Sequence, residues 1–309
     1  MPINSSVRSI MVERSRTNSR RRKRADNYHL ALVIECGGMR GIAASGFIQV
    51  LSEARLLDSF DTLHGSSSGA CVAANILAQQ FEEGRKNFFD DICTRRAVNP
   101  WRFLSQPCMV DTDYIVDEIL AKKQKLDTEK IIAEPGTLNI VTTSVADGLP
   151  VVHKNFKNKE DVLSALKATL RVPGPFECGI EIDGRRHLDG AIGAPIPIFS
   201  AIDSGATHVL IICTQRVQDY GAGNRLNFLE SLILGLFYGT EVRHAYRASQ
   251  RVDWRTWSGD RNSSVEIDIL VRPESATHCG WFTIDRDTLR KVEEESIKAA
   301  GSYLQKSIA

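Results

Sequence analysis

A Gly-x-Ser-x-Gly pattern spans residues 65–69 of this chain and centres on Ser67. Such a pattern is typical of a sharp turn from a strand into a helix, where a strained serine exposes its hydroxyl as a nucleophile. Gly65 and Gly69 are expected to keep neighbouring elements clear of that serine. Because glycine and serine are common in this chain, the five residues alone are weak evidence. A short apolar run before them and a helix-like run after them supply the context that the chemistry requires.

A glycine-rich turn is the second candidate feature, and it lies between the apolar run Leu30–Ile34 and a helix-like segment. A turn at the start of a helix directs several backbone N–H groups into one small space. Such a group binds either a phosphate or the oxyanion of an acyl-transfer intermediate. A nucleotide-binding enzyme is the weaker alternative, because this turn lacks both the Gly-x-Gly-x-x-Gly spacing and a Walker lysine. A turn that merely packs a helix on a sheet is the structural alternative. Its residues are Gly37, Gly38, Met39, Arg40 and Gly41.

The third candidate is Asp189, which is followed by Gly190 and Ala191 and preceded by a hairpin-like stretch at residues 181–187. Taken alone, an Asp-Gly pair is most often a turn. A carboxylate is also a weak general base, because its ordinary pKa is about 4 unless burial raises it. Asp189 therefore gains meaning only together with the other two motifs.

In this order and spacing, the three motifs resemble the patatin-like phospholipase family, and in particular its small bacterial cytoplasmic members. The glycine-rich turn with its arginine is similar to the family's oxyanion loop, and residues 65–69 are similar to its nucleophile elbow. Asp189 and the two residues after it are similar to the family's Asp-Gly-Gly/Ala motif. The resemblance covers about residues 30–215 and fades beyond them. Further similarity lies at residues 110–114, 172–176 and 195–197.

The resemblance implies a three-layer α/β/α fold with a mostly parallel central sheet, and a hydrolase that cleaves lipid carboxylic esters. The implied mechanism uses a Ser–Asp dyad, in which Asp189 takes the proton from Ser67 directly and an acyl-enzyme forms. Backbone N–H groups of residues 37–41 are implied to hold the oxyanion, while Gly190 and Ala191 support Asp189. The implied activities are those of a phospholipase A, a lysophospholipase or an esterase in lipid degradation, with no cofactor and no metal.

Two departures from the family pattern bear on the substrate. Cys36 stands where the family loop usually has a third glycine, and the oxyanion donors are expected from Gly38 onward. Lys167 and Arg171 lie in a stretch that is usually rich in alanine and serine. A charged side chain is therefore expected near the acyl pocket.

A Ser–Asp–His triad of the α/β-hydrolase kind is the mechanistic alternative to the dyad. It would need a histidine after Asp189, and the candidates are His208, His244 and His278. His208 opens an apolar strand, and no motif surrounds the other two. His64 precedes the elbow and is expected to be a core histidine with satisfied hydrogen bonds. Replacing the three late histidines should spare a dyad enzyme.

A catalytically retired lipid-binding protein is the alternative from another functional class. The intact Ser67, Asp189 and Arg40 argue against it. The apolar segment 226–237 fits either a lid that meets lipid or a helix buried on the sheet, and burial is favoured. Lipid esters are the expected substrates, with transient contact at a membrane surface.

The first 28 residues carry eight Lys and Arg against two acidic residues, although the whole chain has a net charge of only +1. The remaining residues, 31 basic and 36 acidic, do not form a polycation that could grip nucleic acid. Residues 1–28 are predicted to be a disordered arm, a solvated tail in the simplest interpretation, with lipid attachment or an organelle or nuclear address as alternatives. Residues 29–309 are predicted to form one catalytic domain.

Strand-like and helix-like segments alternate along the domain, which favours a mostly parallel sheet covered on both faces. Seven cysteines without a Cys-x-x-Cys spacing indicate reduced thiols in a cytosolic protein rather than disulfides or a zinc site. No apolar run reaches the length of a membrane span. The expected location is therefore the cytoplasm, with peripheral membrane contact.

Overall fold

A single sheet organises the protein, and its strands alternate with helices along the chain. The computed structural model describes residues 6–104, 108–174, 179–220, 225–251 and 265–305. The strands are β1 (Leu30–Ile34), β2 (Thr62–Ser66), β3 (Leu138–Ser144), β4 (Pro150–His153), β5 (Ile180–Ile182), β6 (Arg185–Leu188), β7 (His208–Arg216) and β8 (Glu266–Arg272).

The helices are α1 (Val7–Arg16), α2 (Gly41–Glu53), α3 (Ser68–Leu77), α4 (Phe81–Asn87), α5 (Thr128–Ala133), α6 (Lys159–Thr169), α7 (Ile198–Asp203), α8 (Arg225–Tyr238), α9 (Thr240–Ser249) and α10 (Arg286–Gln305). Two segments form π-helices, Phe88–Ile92 and Tyr114–Lys123. Short 3₁₀ turns lie at Gly38–Arg40, Leu57–Ser59, Pro100–Leu104 and Val217–Asp219.

The sheet order is β5-β6-β3-β2-β1-β7-β8, with β4 also paired to β3. The pairs among β1, β2, β3, β7 and β8 are parallel, whereas β4, β5 and β6 join antiparallel. Helices cover both faces of this sheet, so the predicted α/β fold with a mostly parallel central sheet is confirmed. Because β1, β2, β3 and β7 run in one direction, their carboxyl ends meet along one edge, where sites form in such sheets.

The central strand β1 explains why helices are needed on both faces. Side chains alternate across a strand, so Leu30, Leu32 and Ile34 enter the core beneath α2 and α3, while Ala31 and Val33 enter the core beneath α7. All five residues are buried. A continuous apolar run is therefore stable here only between two layers of helices.

The amino-terminal segment differs from the disordered arm that the sequence predicted. Residues 7–16 form α1, whose Val7 and Met11 are fully buried. Arg14 is also buried, and its guanidinium donates to Asp26, Asp61 and two backbone carbonyls. The structure differs from the prediction because composition shows the eight basic residues but not the partly buried acids, Asp26 and Asp61, that pair with Arg14.

The segment 226–237 lies in α8, and the side chains of residues 226–229 lie outside the described residues. Further along this helix, Leu234 is buried while Leu236 is exposed. The favoured prediction of a buried helix therefore holds for one face only. Among the described residues, no helix combines the length and the apolar character that crossing a bilayer requires.

The described cysteines are all free thiols, namely Cys36, Cys71, Cys93, Cys108, Cys213 and Cys279. Cys178 lies outside the described residues, as do Pro175 and Phe176 of the 172–176 similarity.

Candidate active site

Ser67 occupies the tight turn between β2 and α3, at the carboxyl edge of the sheet. Its backbone has φ 53° and ψ −129°, a conformation that L-residues rarely adopt and that marks strain at a functional turn. The flanking glycines allow close packing: a Cβ at Gly65 would lie 2.5 Å from the backbone of Ala70, and one at Gly69 would lie 2.5 Å from the carbonyl oxygen of Ile34. The elbow therefore tolerates no larger residue at either glycine.

A threonine from α6 holds the strained turn in place. The N–H of Ser67 donates to Thr169 Oγ1 at 2.8 Å, and the same hydroxyl donates to the carbonyl of Val141 at 2.6 Å. The hydroxyl of Ser66 donates to the carbonyl of Ala194 at 2.6 Å, which ties the elbow to the loop after β6. These bonds satisfy buried polar groups and keep the Ser67 backbone from relaxing.

Asp189 follows β6 and lies beside the elbow, although 122 positions separate it from Ser67. The Ser67 hydroxyl donates to Asp189 Oδ2 at 2.9 Å, while the N–H of Ala191 donates to Oδ1 at 2.8 Å. Both side chains of the pair are buried. A Cβ at Gly190 would collide with the carbonyl oxygen of Val141, so the turn after the aspartate requires glycine. The structure thus brings the two predicted residues into direct hydrogen-bond contact.

Burial raises the pKa of Asp189 from its ordinary 3.8 to about 7, because a buried carboxylate loses its hydration. The hydrogen bonds from Ala191 and Ser67 oppose this rise, since they stabilise the charged form. A carboxyl group with a pKa near neutrality is a far better proton acceptor than an exposed one at working pH.

The glycine-rich turn, Gly37 to Gly41, begins three residues after the end of β1 and leads into α2. Its later donors already have partners: the N–H of Met39 donates to the carbonyl of Trp281, that of Arg40 to Gly37, and that of Gly41 to Gly38. Across the described residues, the N–H groups of Gly37 and Gly38 have no acceptor. The predicted five-residue donor set therefore narrows to these first two positions.

Gly38 has a φ of 54°, and a Cβ there would lie 2.6 Å from the carbonyl oxygen of Trp281. Only glycine fits this position without a shift of the backbone. Arg40, the arginine of the turn, is buried beside the Trp281 ring, with its guanidinium carbon 5.4 Å from the ring centroid. Its side chain thus packs as a cation against the aromatic face that closes this turn.

Glu35 fixes the strand end that carries the glycine-rich turn. Its two carboxyl oxygens are fully buried and accept from the backbone and side chains of Thr214 and Gln215 and from the hydroxyl of Tyr220. The single hydrogen of the Thr214 hydroxyl is shared between Glu35 and the carbonyl of Cys36, and the contact with Cys36 is the shorter, at 2.6 Å. The residue before the turn is therefore bonded across to the end of β7, which limits movement of the turn.

An apolar cavity of about 70 Å³ opens beside the elbow. Ser67 and Gly38 both line it, so the serine faces the same space as the glycine whose N–H has no acceptor among the described residues. The rest of its wall is mainly apolar and includes Phe88, Val98, Ile115, Leu170, Val172 and Trp281.

All seven histidines lie within the described residues, and none donates to or accepts from Ser67. His64 is buried under the elbow, where its ring nitrogens bond to Ser200 and Thr62, as expected for a satisfied core histidine. Burial lowers the pKa of His64 to about 3. His208 opens β7 and bonds to Thr207 instead. The geometry thus offers Ser67 a carboxyl partner and, among the described residues, no imidazole partner.

Within the described residues, no three His, Cys, Asp or Glu side chains are grouped as a metal site.

Comparison with known proteins decides the family. Residues 32–202, more than half of the chain, match the family model described as patatin-like phospholipase. The chain belongs to the patatin-like phospholipase family. Both the elbow and Asp189 lie inside the matched range, whereas Trp281 and α8 lie beyond it. The likeness that the sequence motifs predicted is therefore confirmed at the level of the family.

Among curated proteins, this patatin-like chain is 27% identical over 192 residues to the uncharacterized protein YjjU of Escherichia coli strain K12. The alignment covers 62% of the chain and 53% of the relative, so the chain spans about half the length of that protein. Among solved structures, VipD from Legionella pneumophila aligns over 90% of this chain and 67% of its own, with 13% identity and a TM-score of 0.40. The type III effector protein ExoU aligns over 91% and 53%, with 15% identity and a TM-score of 0.39.

Sequence reasoning missed two residues that shape the site. Thr169 holds the elbow from α6, and Trp281 supplies both a carbonyl to the glycine-rich turn and a wall of the cavity. Neither lies in a motif, and Trp281 lies beyond the stretch that resembles the family. Only the packing of α6 and of the chain after β8 brings them to Ser67.

Proposed function

We propose that this protein is a serine acyl hydrolase that cleaves lipid carboxylic esters through a Ser67–Asp189 dyad. One observation carries the proposal: the 2.9 Å hydrogen bond from a strained, buried serine hydroxyl to a buried carboxyl group. Family membership supports the coarser statement, a lipid ester hydrolase.

In the proposed reaction, the carboxylate of Asp189 accepts the proton of the Ser67 hydroxyl while the serine oxygen attacks the ester carbonyl. The tetrahedral oxyanion accepts hydrogen bonds from the N–H groups of Gly37 and Gly38, the two donors of the turn that have no acceptor among the described residues. Asp189 then returns the proton to the departing alcohol, and an acyl-enzyme remains. Water, deprotonated by the same carboxylate, releases the fatty acid and restores the serine.

The apolar wall of the cavity favours an acyl chain rather than a charged group beside Ser67. We propose phospholipids, lysophospholipids or neutral lipid esters as substrates, with no cofactor in the reaction. The protein acts in the cytoplasm, meets membranes transiently and has no nucleic-acid partner.

Assay of a lipid panel with the wild type and Ser67→Ala tests the function. We expect Ser67→Ala to lower hydrolysis by about 10³-fold or more, because the nucleophile is lost while the fold remains. Circular dichroism verifies the fold, and a reactivity probe for serine hydrolases should label the wild type only.

The matched control replaces His208, His244 and His278 together by glutamine, which should leave the dyad enzyme active. Loss of activity in this triple variant with an intact fold would support the triad instead. A wild type that neither reacts with the probe nor hydrolyses any lipid of the panel would indicate a retired lipid-binding protein.

A further inference from the structure

We propose that the outer face of α8, together with the basic helix α9, docks this protein on an anionic lipid surface. We define the outer face by Leu232, Leu236 and Phe237, which are 38%, 71% and 46% exposed. Three large apolar side chains on one helix face are unusual on a surface that meets only water. The proposal rests on the proposed function, because a lipid surface would present the esters that Ser67 is proposed to cleave.

The inner face of the same helix is anchored beside the candidate dyad. Leu234 and Tyr238 are buried in a cluster with Leu188 and Ile192, residues that flank Asp189 in sequence. The Tyr238 hydroxyl also donates to the carbonyl of Gly174 at 3.3 Å. The outer face therefore sits on a helix that is packed directly over the Asp189 turn.

Helix α9 and the residues after it supply charge next to this apolar face. Residues 240–251 contain three arginines and one glutamate, which gives a net charge of +2. His244, Arg247 and Arg251 are exposed. An apolar helix face beside exposed arginines matches a bilayer, where apolar side chains enter the acyl region and arginines meet lipid phosphates.

The distribution of exposed apolar side chains favours the same edge of the molecule. Trp101 belongs to the loop whose Val98 and Val110 line the cavity, and Leu149 belongs to the turn that follows the carboxyl end of β3. Phe199 is the second residue of α7, which follows the loop whose Pro195 accepts from the N–H of Cys36, just past β1. Among the described residues, six of the seven exposed large apolar side chains thus belong to segments at the carboxyl edge. The full set is Val12, Trp101, Leu149, Phe199, Leu232, Leu236 and Phe237.

Vesicle co-sedimentation tests the proposal, with Ser67→Ala as the background so that no lipid is hydrolysed during binding. The vesicles contain phosphatidylglycerol and phosphatidylcholine. We expect Leu236→Asp and Phe237→Asp to weaken binding about tenfold each, because a charge replaces an inserted apolar group. Raising the salt concentration should weaken binding further, because it screens the arginines of α9.

Val12→Asp is the matched control, since Val12 is an exposed apolar residue of α1, outside the proposed surface. It should bind vesicles like the background protein. Leu236→Asp with Ser67 restored should hydrolyse a soluble short-chain ester at the wild-type rate, which shows that the fold and the dyad are intact. If Leu236→Asp fails to fold, the milder Phe237→Ser takes its place in the same comparison.

Unchanged vesicle binding in the α8 variants, or no binding by the background protein, overturns the proposal. It is also overturned if Leu236→Asp converts a dimer to a monomer, measured by light scattering, while vesicle binding persists, because a second copy of the chain would then be the occupant. Failure of the enzymatic proposal looks different: the α8-dependent binding would remain, but the wild type would hydrolyse neither the soluble ester nor the vesicle lipid.

Discussion

At the scale of single residues, the environment of Asp189 decides what its carboxyl group can do. The side chain is almost fully excluded from water, and its two bonds come from the hydroxyl of Ser67 and the N–H of Ala191. Burial raises its pKa to about 7, which makes the ionised carboxyl group a stronger base than an exposed carboxylate, as the proposed direct proton transfer from Ser67 requires.

The raised pKa predicts the pH dependence of the reaction. In the proposed reaction only the ionised form of Asp189 accepts the proton, so kcat/KM for a soluble ester should rise about tenfold per pH unit below pH 7 and level off above it. A pH–rate profile measured from pH 4.5 to 9 checks this. An acidic limb centred near pH 4 instead would show that the carboxyl group keeps its ordinary pKa.

Asp189→Asn tests the same raised pKa by a second route, through the pH dependence of the free energy of unfolding. The folded-state pKa of about 7 lies above the ordinary 3.8, so the wild type loses stability as the pH rises from about 4 through 7, where the unfolded chain ionises more readily. Asparagine cannot ionise, and the variant should escape this loss. Urea denaturation at pH 5 and pH 8 should therefore show the stability of the variant, relative to the wild type, growing by about 2–3 kcal/mol. Activity should be lost at both pH values.

At the scale of elements, hydrogen bonds between the ends of β1 and β7 hold the backbone of the candidate site in place. Glu35 comes directly after β1, and Thr214 and Gln215 lie near the end of β7. The carboxyl group of Glu35 accepts five hydrogen bonds from this region, so the backbone that leads into the glycine-rich turn has little freedom. In the proposed reaction this turn presents two N–H groups to the oxyanion, and that task depends on such rigidity.

Glu35→Gln should disturb these hydrogen bonds between the ends of β1 and β7. The glutamine amide brings two donors into a space that already holds five donors, so at least one buried N–H or O–H group loses its acceptor. We expect a loss of about 2–3 kcal/mol in the free energy of unfolding and a reduced kcat for a soluble ester. Calorimetry and steady-state kinetics measure both. Glu53→Gln, the same change at an exposed position of α2, is the control and should alter neither. Wild-type stability in Glu35→Gln would show that the five bonds contribute little.

At the scale of the whole molecule, the two ends of the parallel strands serve different purposes. The carboxyl edge carries the elbow and the glycine-rich turn. The opposite edge carries the amino-terminal segment, where Arg14 bonds to Asp26 and to Asp61, one residue before β2. Arg24 donates to Asp61 as well. Some basic residues of this segment therefore stabilise the fold by binding acidic side chains at the edge of the sheet remote from Ser67.

Arg14→Met should test this structural role. Methionine retains the apolar stem but leaves Asp26 and Asp61 short of a buried cationic partner, which should cost about 3 kcal/mol of stability. Chemical denaturation measures the loss. Arg16→Met is the matched control, because Arg16 is exposed and its ion pair is with the exposed Glu13, and it should leave stability nearly unchanged. Equal effects in both variants would contradict a specific role of Arg14.

The sequence by itself determined the family and the local form of the site. Glycine spacing, a preceding apolar run and a following helical run are local signals, and the structure has a strand, a tight turn and a helix at residues 62–77. The strand predicted at Leu30–Ile34 has the same bounds in the structure. A short, continuous apolar run is typical of a strand that is buried on both faces of a parallel sheet.

Only the tertiary structure decided which distant groups meet. The contact between Ser67 and Asp189 depends on how β2, β3 and β6 are ordered in the sheet, and no local pattern encodes that order. The support from Thr169 and Trp281, the burial of Arg14 and the exposed face of α8 arise in the same way. Burial, and with it the pKa of a carboxyl group or the partner of an arginine, is a property of the packed chain, because it depends on neighbours that are remote in sequence.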